Sequence, residues 1–310
     1  MHPDSALGNN PIIWSATPTP FLEDGALDVP SLERLVEQHL GLGVTGLFLA
    51  GSCGEGPLMP NDQRLQLVRE TRRLAGNRLA LSVQVSDTSA ARVRENILQA
   101  QEAGADYVII APPWIPRFIN PGFARRYFTE PLEAAEVPVG LYLLPTPPEC
   151  GLDLALWQEL ASDPRVEVIK DSTCSDDFLR GMMEVKTRRP ELRIMVGYEF
   201  NVIPAAQAGY DGVVLGTGIL VGGIIRRAWE AFASGDPTTA KSWQDRACAF
   251  MYDLFRPDLS AWLGGLKYAL VREGLFSTEF MHPDYPITDE DRARIDAALE
   301  REREFIRPVG

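Results

Sequence analysis

Val166-Glu167-Val168-Ile169-Lys170-Asp171-Ser172 is a β-branched, nearly continuous apolar run that closes on a lysine. A strand buried on both faces reads this way, because each face of a parallel sheet is covered by helices. The run therefore predicts an α/β protein. Its last residue is unusual, since the chain holds only four lysines in 310 residues and takes the other 26 of its 30 basic residues as arginine. A lysine at the end of such a strand places an amine at the rim of the sheet, half out of water. Desolvation there disfavours the ammonium and makes a neutral nucleophile available for Schiff-base chemistry. The bland alternative is a lysine that snorkels from the strand end to pair with Asp171 or Glu167. This segment alone leaves both readings open.

Outward from this run, short β-rich stretches alternate with helical patterns. The strand candidates are 12–17, 46–50, 79–85, 107–111, 139–144, 166–170, 193–196 and 212–215. Helix-like stretches between them include 31–42, 62–74, 90–103, 124–135, 154–161 and 177–186. The punctuation agrees: Asn61-Asp62 precedes one helix, and Gly76 and Gly104 follow two others. Eight strands with intervening helices in about 225 residues is the count of a (β/α)8 TIM barrel. A doubly wound open sheet competes with it, but no Gly-rich dinucleotide fingerprint follows the first strand. Beyond Gly223 the β signal stops, and 224–234, 237–255, 259–272 and 289–305 read as helix, broken at Pro257 and at Pro283–Pro286. The expected organisation is a barrel over 1–225 and a C-terminal helical extension over 226–310, the latter a cap or an oligomer surface.

Composition narrows the function. With 30 basic and 43 acidic residues the net charge is −13, which argues against nucleic acid as the main partner but not against a small anion held locally. No apolar run reaches the ~18–20 residues of a membrane span. Met1 to Pro11 is polar, with no signal-peptide core, so no export is expected. Cys53, Cys150, Cys174 and Cys248 are widely spaced without a CxxC pair. Neither a zinc site nor a disulfide framework is indicated, and reduced thiols in the cytoplasm are the simplest reading.

In a (β/α)8 barrel the active site lies at the C-terminal ends of the strands. That rule gathers Thr17-Pro18-Thr19-Pro20-Phe21, Ala50-Gly51-Ser52-Cys53-Gly54-Glu55, Tyr142 with Pro145, Lys170, Gly197-Tyr198-Glu199 and Gly216-Thr217-Gly218 into one constellation. Here the chain resembles the dihydrodipicolinate synthase / N-acetylneuraminate lyase family of class I, Schiff-base-forming aldolases. Thr19-Pro20-Phe21, Gly51-Ser52-Cys53-Gly54-Glu55 in place of the family's GTTGE or GSTGE, Tyr142 with Pro145, Ile169-Lys170-Asp171, and Gly209 to Gly216 match in order over nearly the whole chain.

The resemblance implies roles. Lys170 would attack the C2 ketone of pyruvate or another 2-oxo acid and form an iminium, and Tyr142 would shuttle protons as general acid/base. Gly51, Ser52 and the Cys53 amide would seat the substrate carboxylate in a turn whose small residues let N–H groups approach an anion. The Val214 carbonyl would fall near the iminium. Glu199 would bind substrate hydroxyls, as an acid does in lyases of polyhydroxylated substrates, or would cap the following helix. Against these roles stand plainer ones: a core aromatic for Tyr142 and an ordinary turn for 51–54.

Departures from the family pattern bear on the substrate. Dihydrodipicolinate synthases carry an Arg shortly after Tyr-x-x-Pro, where this chain reads Tyr142-Leu143-Leu144-Pro145-Thr146-Pro147-Pro148-Glu149-Cys150-Gly151, with no Arg and two extra residues. Their Tyr-Tyr pair after strand 4 is replaced by Ala111-Pro112-Pro113-Trp114-Ile115, and an indole N–H cannot relay a proton as a phenol does. Cys53 replaces the second hydroxyl of GTTGE. Trp114, Ile115 and Phe118 would line the pocket mouth, opening a flat or aromatic substrate, or would pack an interface.

The expectation is a lyase, aldolase or dehydratase, acting on pyruvate or a 2-oxo-3-deoxy (sugar) acid through a lysine iminium. It would use no metal or organic cofactor and would be a homo-oligomer, tetramer or dimer. The alternatives are 4-hydroxy-tetrahydrodipicolinate synthase of lysine biosynthesis and a non-catalytic barrel that binds a 2-oxo acid. The retained Lys170–Tyr142 pair speaks against the last.

Overall fold

Eight parallel strands close on themselves in sequence order in the computed structural model, which describes residues 11–114, 119–146 and 150–308. They are β1 (Ile12–Ser15), β2 (Gly46–Leu49), β3 (Ala80–Gln84), β4 (Tyr107–Ile110), β5 (Val139–Leu143), β6 (Val166–Asp171), β7 (Arg193–Val196) and β8 (Gly212–Leu215). Between them run α1 (Val29–Gly41), α2 (Asn61–Ala75), α3 (Ala90–Glu102), α4 (Pro121–Thr129), α5 (Leu154–Ala161), α6 (Asp176–Arg188) and α7 (Val202–Ala208). After β8 come α8 (Gly218–Ala233), α9 (Pro237–Phe255), α10 (Trp262–Arg272) and α11 (Asp289–Ile306). The (β/α)8 barrel expected from the alternation is the observed fold, and every predicted strand exists within two residues of its expected ends.

Two layers of burial follow from the period-2 alternation of the strands. Residues facing the lumen, among them Trp14, Phe48, Ile109, Tyr142, Val168, Met195 and Val214, form one cluster, and the alternate residues pack outward against the helices. The lumen is filled, as in other barrels of eight strands. Gly46 and Gly140 make this work by leaving space: a Cβ there would lie 2.6 Å from Trp14 Nε1 and 2.3 Å from Ile109 Cδ1 respectively. On the helix side, α1 buries Leu32, Leu35, Val36 and His39, one face at helical spacing. Its first turn is capped by Asp28, which accepts from the Ser31 amide at 3.1 Å.

Three helices depart from the sequence reading. Helix α4 spans Pro121–Thr129, not 124–135, because Asn120 caps it earlier, accepting from the Phe123 amide at 3.0 Å, and a 3-10 turn containing Pro131 follows it. Helix α8 begins at Gly218, not at residue 224, because Gly222 and Gly223 sit inside the helix at a close approach. A Cβ on Gly222 would lie 2.8 Å from Val44 Cγ2. Helix α10 starts at Trp262, not at residue 259, because Leu259 holds a left-handed backbone with φ +60°. Helix α8 thus spans positions 225 and 226. Helix α9 packs along α8, with α10 and α11 against α9 and each other.

Candidate active site

The alternation that places Val168 in the lumen also turns Lys170 inward, at the C-terminal end of β6. Its register partner on β5 is Tyr142, so the two side chains stand side by side on the same face. Lys170 is 6 % exposed, and its Nζ lies 4.0 Å from the centroid of the Tyr142 ring and 4.8 Å from that of Phe48. Neither carboxylate proposed as its plain partner reaches it. Asp171 accepts from the Tyr210 hydroxyl at 2.6 Å and from the Thr173 amide and hydroxyl at 2.8 and 2.7 Å, and Glu167 is exposed. Among the described residues the Lys170 amine has no ion pair. Room for its stem comes from Gly197 at the end of β7, where a Cβ would lie 2.2 Å from Ser172 Oγ and 2.8 Å from Lys170 Cε.

Lys170 and Tyr142 open into a cavity of about 320 Å³, the lower end of the ~300–1,000 Å³ of small-molecule sites. Ser52 and Cys53 from the turn after β2 line it, as do Gly197, Tyr198 and Glu199 after β7 and Gly216 after β8. Gly51 does not line it but closes the turn, its carbonyl accepting from the Gly56 amide at 3.2 Å. Val214 sits lower, in the packed lumen, against a void of about 10 Å³ beneath Lys170. Cys53 is buried with its thiol toward the Gly216 carbonyl at 3.4 Å. Burial, reinforced by the Glu199 carboxylate, pushes that thiol well above the ordinary range, so it is a poor nucleophile.

Glu199 caps a helix, but not the one that follows it. Its carboxylate accepts from the Thr217 amide at 2.7 Å and the Thr217 hydroxyl at 2.8 Å, at the N-terminus of α8. Burial raises its pKa against those hydrogen bonds and the nearby Lys170. Of the residues expected at the pocket mouth, Trp114 is 42 % exposed and does not line the cavity, while Ile115, Phe118 and Pro147–Glu149 lie outside the described residues.

Chain family follows from comparison with known proteins. The model of the dihydrodipicolinate synthetase family matches residues 11–302. The chain belongs to this family of lyases. It is 28 % identical over 281 residues to a 4-hydroxy-tetrahydrodipicolinate synthase of Ruegeria pomeroyi, covering 91 % of this chain and 94 % of that one. It is also 28 % identical over 289 residues, with the same coverage of both chains, to YagE of Escherichia coli K12, provisionally named a 2-dehydro-3-deoxy-D-gluconate aldolase. The crystal structure of YagE in complex with pyruvate superposes with a TM-score of 0.82, at 25 % identity and covering 94 % of this chain and 98 % of that one. A dihydrodipicolinate synthase from Thermotoga maritima shares the fold with a TM-score of 0.85 at 21 % identity, covering 95 % and 99 %.

Two groups near the site were not expected. The first is a buried ion pair. Glu55, held at φ +60° in the turn after β2, lies 2.9 Å from Lys267 Nζ on α10, an ion-pair contact not aligned as a hydrogen bond. Its other oxygen accepts from the His282 amide at 2.7 Å. Lys267 donates to the carbonyls of Thr19 at 2.6 Å and Phe280 at 3.1 Å, and Thr19 donates its hydroxyl to the Gly54 carbonyl at 2.7 Å. One ammonium therefore ties the loop after β1, the turn after β2 and the C-terminal extension together. Burial pulls the Lys267 pKa down, and Glu55 opposes that. The signal was in the sequence: Lys267 is one of four lysines and interrupts the apolar run Leu266–Leu270. The second group is a cavity wall made by the extension itself: Phe255, Leu259, Trp262 and Tyr285. The helical periodicity of the extension predicts a cap or an oligomer surface and carries no sign of a site.

Among the described residues no group of three His, Cys, Asp or Glu is placed to hold a metal ion, and no helix is long and apolar enough to cross a membrane.

Proposed function

We propose that the protein is a Schiff-base lyase whose nucleophile is Lys170 and whose first substrate is pyruvate or another 2-oxo acid. The observation that carries this reading is the inward-facing Lys170 amine, without an ionic partner, against the ring of its register neighbour Tyr142 in an open cavity. An amine held this way is free to add to a ketone. Attack on C2 gives a carbinolamine, and loss of water gives an iminium. The iminium withdraws electrons from C3, so that a C3 proton or the C3–C4 bond is released to an enamine. Tyr142 is the proton carrier, because its hydroxyl has no hydrogen-bond partner among the described residues and lines the same cavity. Ser52 and the Cys53 amide form the carboxylate seat, in the turn that Gly51 closes, and the Val214 backbone carbonyl lies below the iminium. Glu199 fixes the β8–α8 turn across from Lys170, and binds substrate hydroxyls only through lone pairs that Thr217 leaves open.

The relatives' names favour a second reading, condensation of pyruvate with aspartate semialdehyde. The missing arginine after Pro145 and Trp114 in place of a tyrosine pair weigh against it. We place the enzyme in the cytoplasm, its cysteines being widely spaced in the sequence without a CxxC pair, and assign it a homo-oligomeric state, a tetramer by family resemblance. Incubation with pyruvate and borohydride is expected to add mass irreversibly at Lys170 and not in Lys170→Ala. Intact-mass spectra without an adduct, or with one that survives that substitution, would overturn the mechanism.

A further inference from the structure

We propose that the end of the cavity opposite Lys170 receives a flat apolar group, so that the carbonyl partner of the 2-oxo acid is an aromatic aldehyde. The inference rests on the Schiff-base reading of Lys170 and extends it to the second substrate. Beyond Lys170, Tyr142 and the turn after β2, the large side chains of the wall are Tyr198, Phe200, Phe255, Leu259, Trp262 and Tyr285, with Glu199 and small residues between them. Among the described residues, no arginine lines it and its one lysine is Lys170, so a second carboxylate would find no cation there. The one carboxylate, Glu199, already accepts two hydrogen bonds from Thr217. A polyhydroxylated chain would bring several hydroxyls against carbon, each losing its water for no partner, which is a moderate penalty for every one so placed.

The aromatic rings are ordered to meet a flat ligand. Trp262 stands edge-on to Tyr285 at 5.9 Å and 87°, and Phe200 stacks on Tyr252 at 4.7 Å and 30°. Tyr198 adjoins Phe200 at 5.5 Å. Tyr198 and Tyr252 are 38 % and 40 % exposed, so the aromatic surface continues from the cavity to the outside.

Backbone strain is a second, independent observation. The link between α9 and α10 holds two non-glycine residues in the left-handed region, Arg256 at φ +66° and Leu259 at φ +60°. For a bulky side chain this is a costly conformation that persists only where the surroundings impose it, and such residues cluster at functional sites. Here the imposition is visible. Arg256 donates to the Asp291 carboxylate through Nε at 2.9 Å and through a second, shorter contact, and to Ser260 Oγ at 3.0 Å. Asp291 is itself fixed in the capping box of α11 with Thr288. The extension thus clamps a strained link, and that link delivers Leu259 and Trp262 to the cavity.

The reaction balances without an oxidant or reductant. C3 of the Lys170-bound enamine bonds to the aldehyde carbon, whose oxygen takes a proton from Tyr142. Water then adds to the iminium and frees Lys170, releasing a 4-aryl-4-hydroxy-2-oxobutanoate, and the reverse sequence cleaves it.

The test is to supply the full-length enzyme with pyruvate and, separately, benzaldehyde, D-glyceraldehyde or aspartate semialdehyde, with products read by mass. We expect kcat/KM for benzaldehyde to exceed that for either polar aldehyde by ~10-fold or more. Trp262→Ala should cut the benzaldehyde-to-glyceraldehyde ratio ~10-fold, mainly through KM for benzaldehyde. Leu259→Gly should lower the same ratio while Tm holds or rises, because glycine takes the left-handed backbone without strain. A borohydride adduct at Lys170 together with a preference for a polar aldehyde overturns this inference alone, as does a ratio unmoved in both variants. No adduct at Lys170 overturns the Schiff-base reading and this one with it.

Discussion

Lys170 and Lys267 are two of four lysines, both buried, and the fold treats them in opposite ways. Lys267 is fully buried at the junction of barrel and extension, with two carbonyls and the Glu55 carboxylate around its ammonium. Lys170 is nearly as buried, but among the described residues its amine has no ionic partner and faces two aromatic rings and an open cavity. A lysine whose charge is paired and whose ammonium is hydrogen-bonded is a fastener. One that is desolvated but unsatisfied is available to a ligand, because whatever binds there supplies the missing partner. Rarity in composition therefore marks both lysines, and only their surroundings separate chemistry from architecture.

The largest expected effect separates them by activity. Lys170→Met should reduce turnover roughly 10³-fold or more, as loss of a covalent nucleophile does. Its Tm should move by only a few degrees, because the attraction to the two rings, about 2 kcal/mol in a desolvated site, is offset by relief of an amine buried without an ionic partner. A large loss of Tm would make Lys170 a second fastener and break the comparison. Lys267→Met should do the reverse. Stranding the Glu55 carboxylate costs ~3–5 kcal/mol by the precedent of broken buried pairs, read as a drop in denaturation midpoint. Lys267→Met with Glu55→Gln should recover part of that loss, since no buried charge is left alone. The pyruvate KM should rise more than kcat falls, because Glu55 stands three residues from Ser52. A single variant as stable as the parent would show that the pair does not hold the two parts together.

Tyr142→Phe tests what a nucleophile needs beside it. The ring that faces the Lys170 amine stays and the hydroxyl goes, so a loss of ~10²–10³-fold in kcat is expected, within the range of general acid–base catalysis. The borohydride adduct should still form, more slowly. Unchanged kcat would return Tyr142 to the core aromatic that its strand position alone suggests.

Much of this was legible before any coordinates. Eight short β-branched runs at regular spacing, with helical stretches between, carry the barrel because strand burial and helix amphipathicity are local patterns. The strand-end rule then brings Lys170, Tyr142, Ser52, Cys53 and Glu199 to one mouth. What could not be read was anything set by long-range contact. Residues 199 and 217 meet because β7 and β8 are neighbours in the barrel, and residues 55 and 267 because the extension folds back over the turn after β2. The left-handed backbone of Leu259 is likewise invisible, since a leucine gives no local hint of it. The extension looked like a cover for the barrel because its helices are periodic, and periodicity says which face is buried but not against what.

His39 supplies the smallest effect and the control for the whole comparison, a fully buried base in the hydrophobic shell with no ion pair among the described residues. Its Nδ1 meets the Leu35 carbonyl at 2.7 Å, and its Nε2 has no partner. Burial pushes its pKa down to about 4 from the usual 6.5. The folded protein therefore holds His39 neutral over a range where the unfolded chain would protonate it. The unfolded state binds more protons there, so stability is complete above about pH 6.5 and falls as the pH drops toward 4, by roughly 2 kcal/mol at pH 5. Denaturant midpoints of wild type and His39→Gln, measured between pH 7 and 4.5, should converge on acidification, because glutamine cannot take up the proton. Parallel curves would mean that His39 gains a partner for its charge, as Lys267 does, and that burial alone does not sort the ionisable groups of this protein.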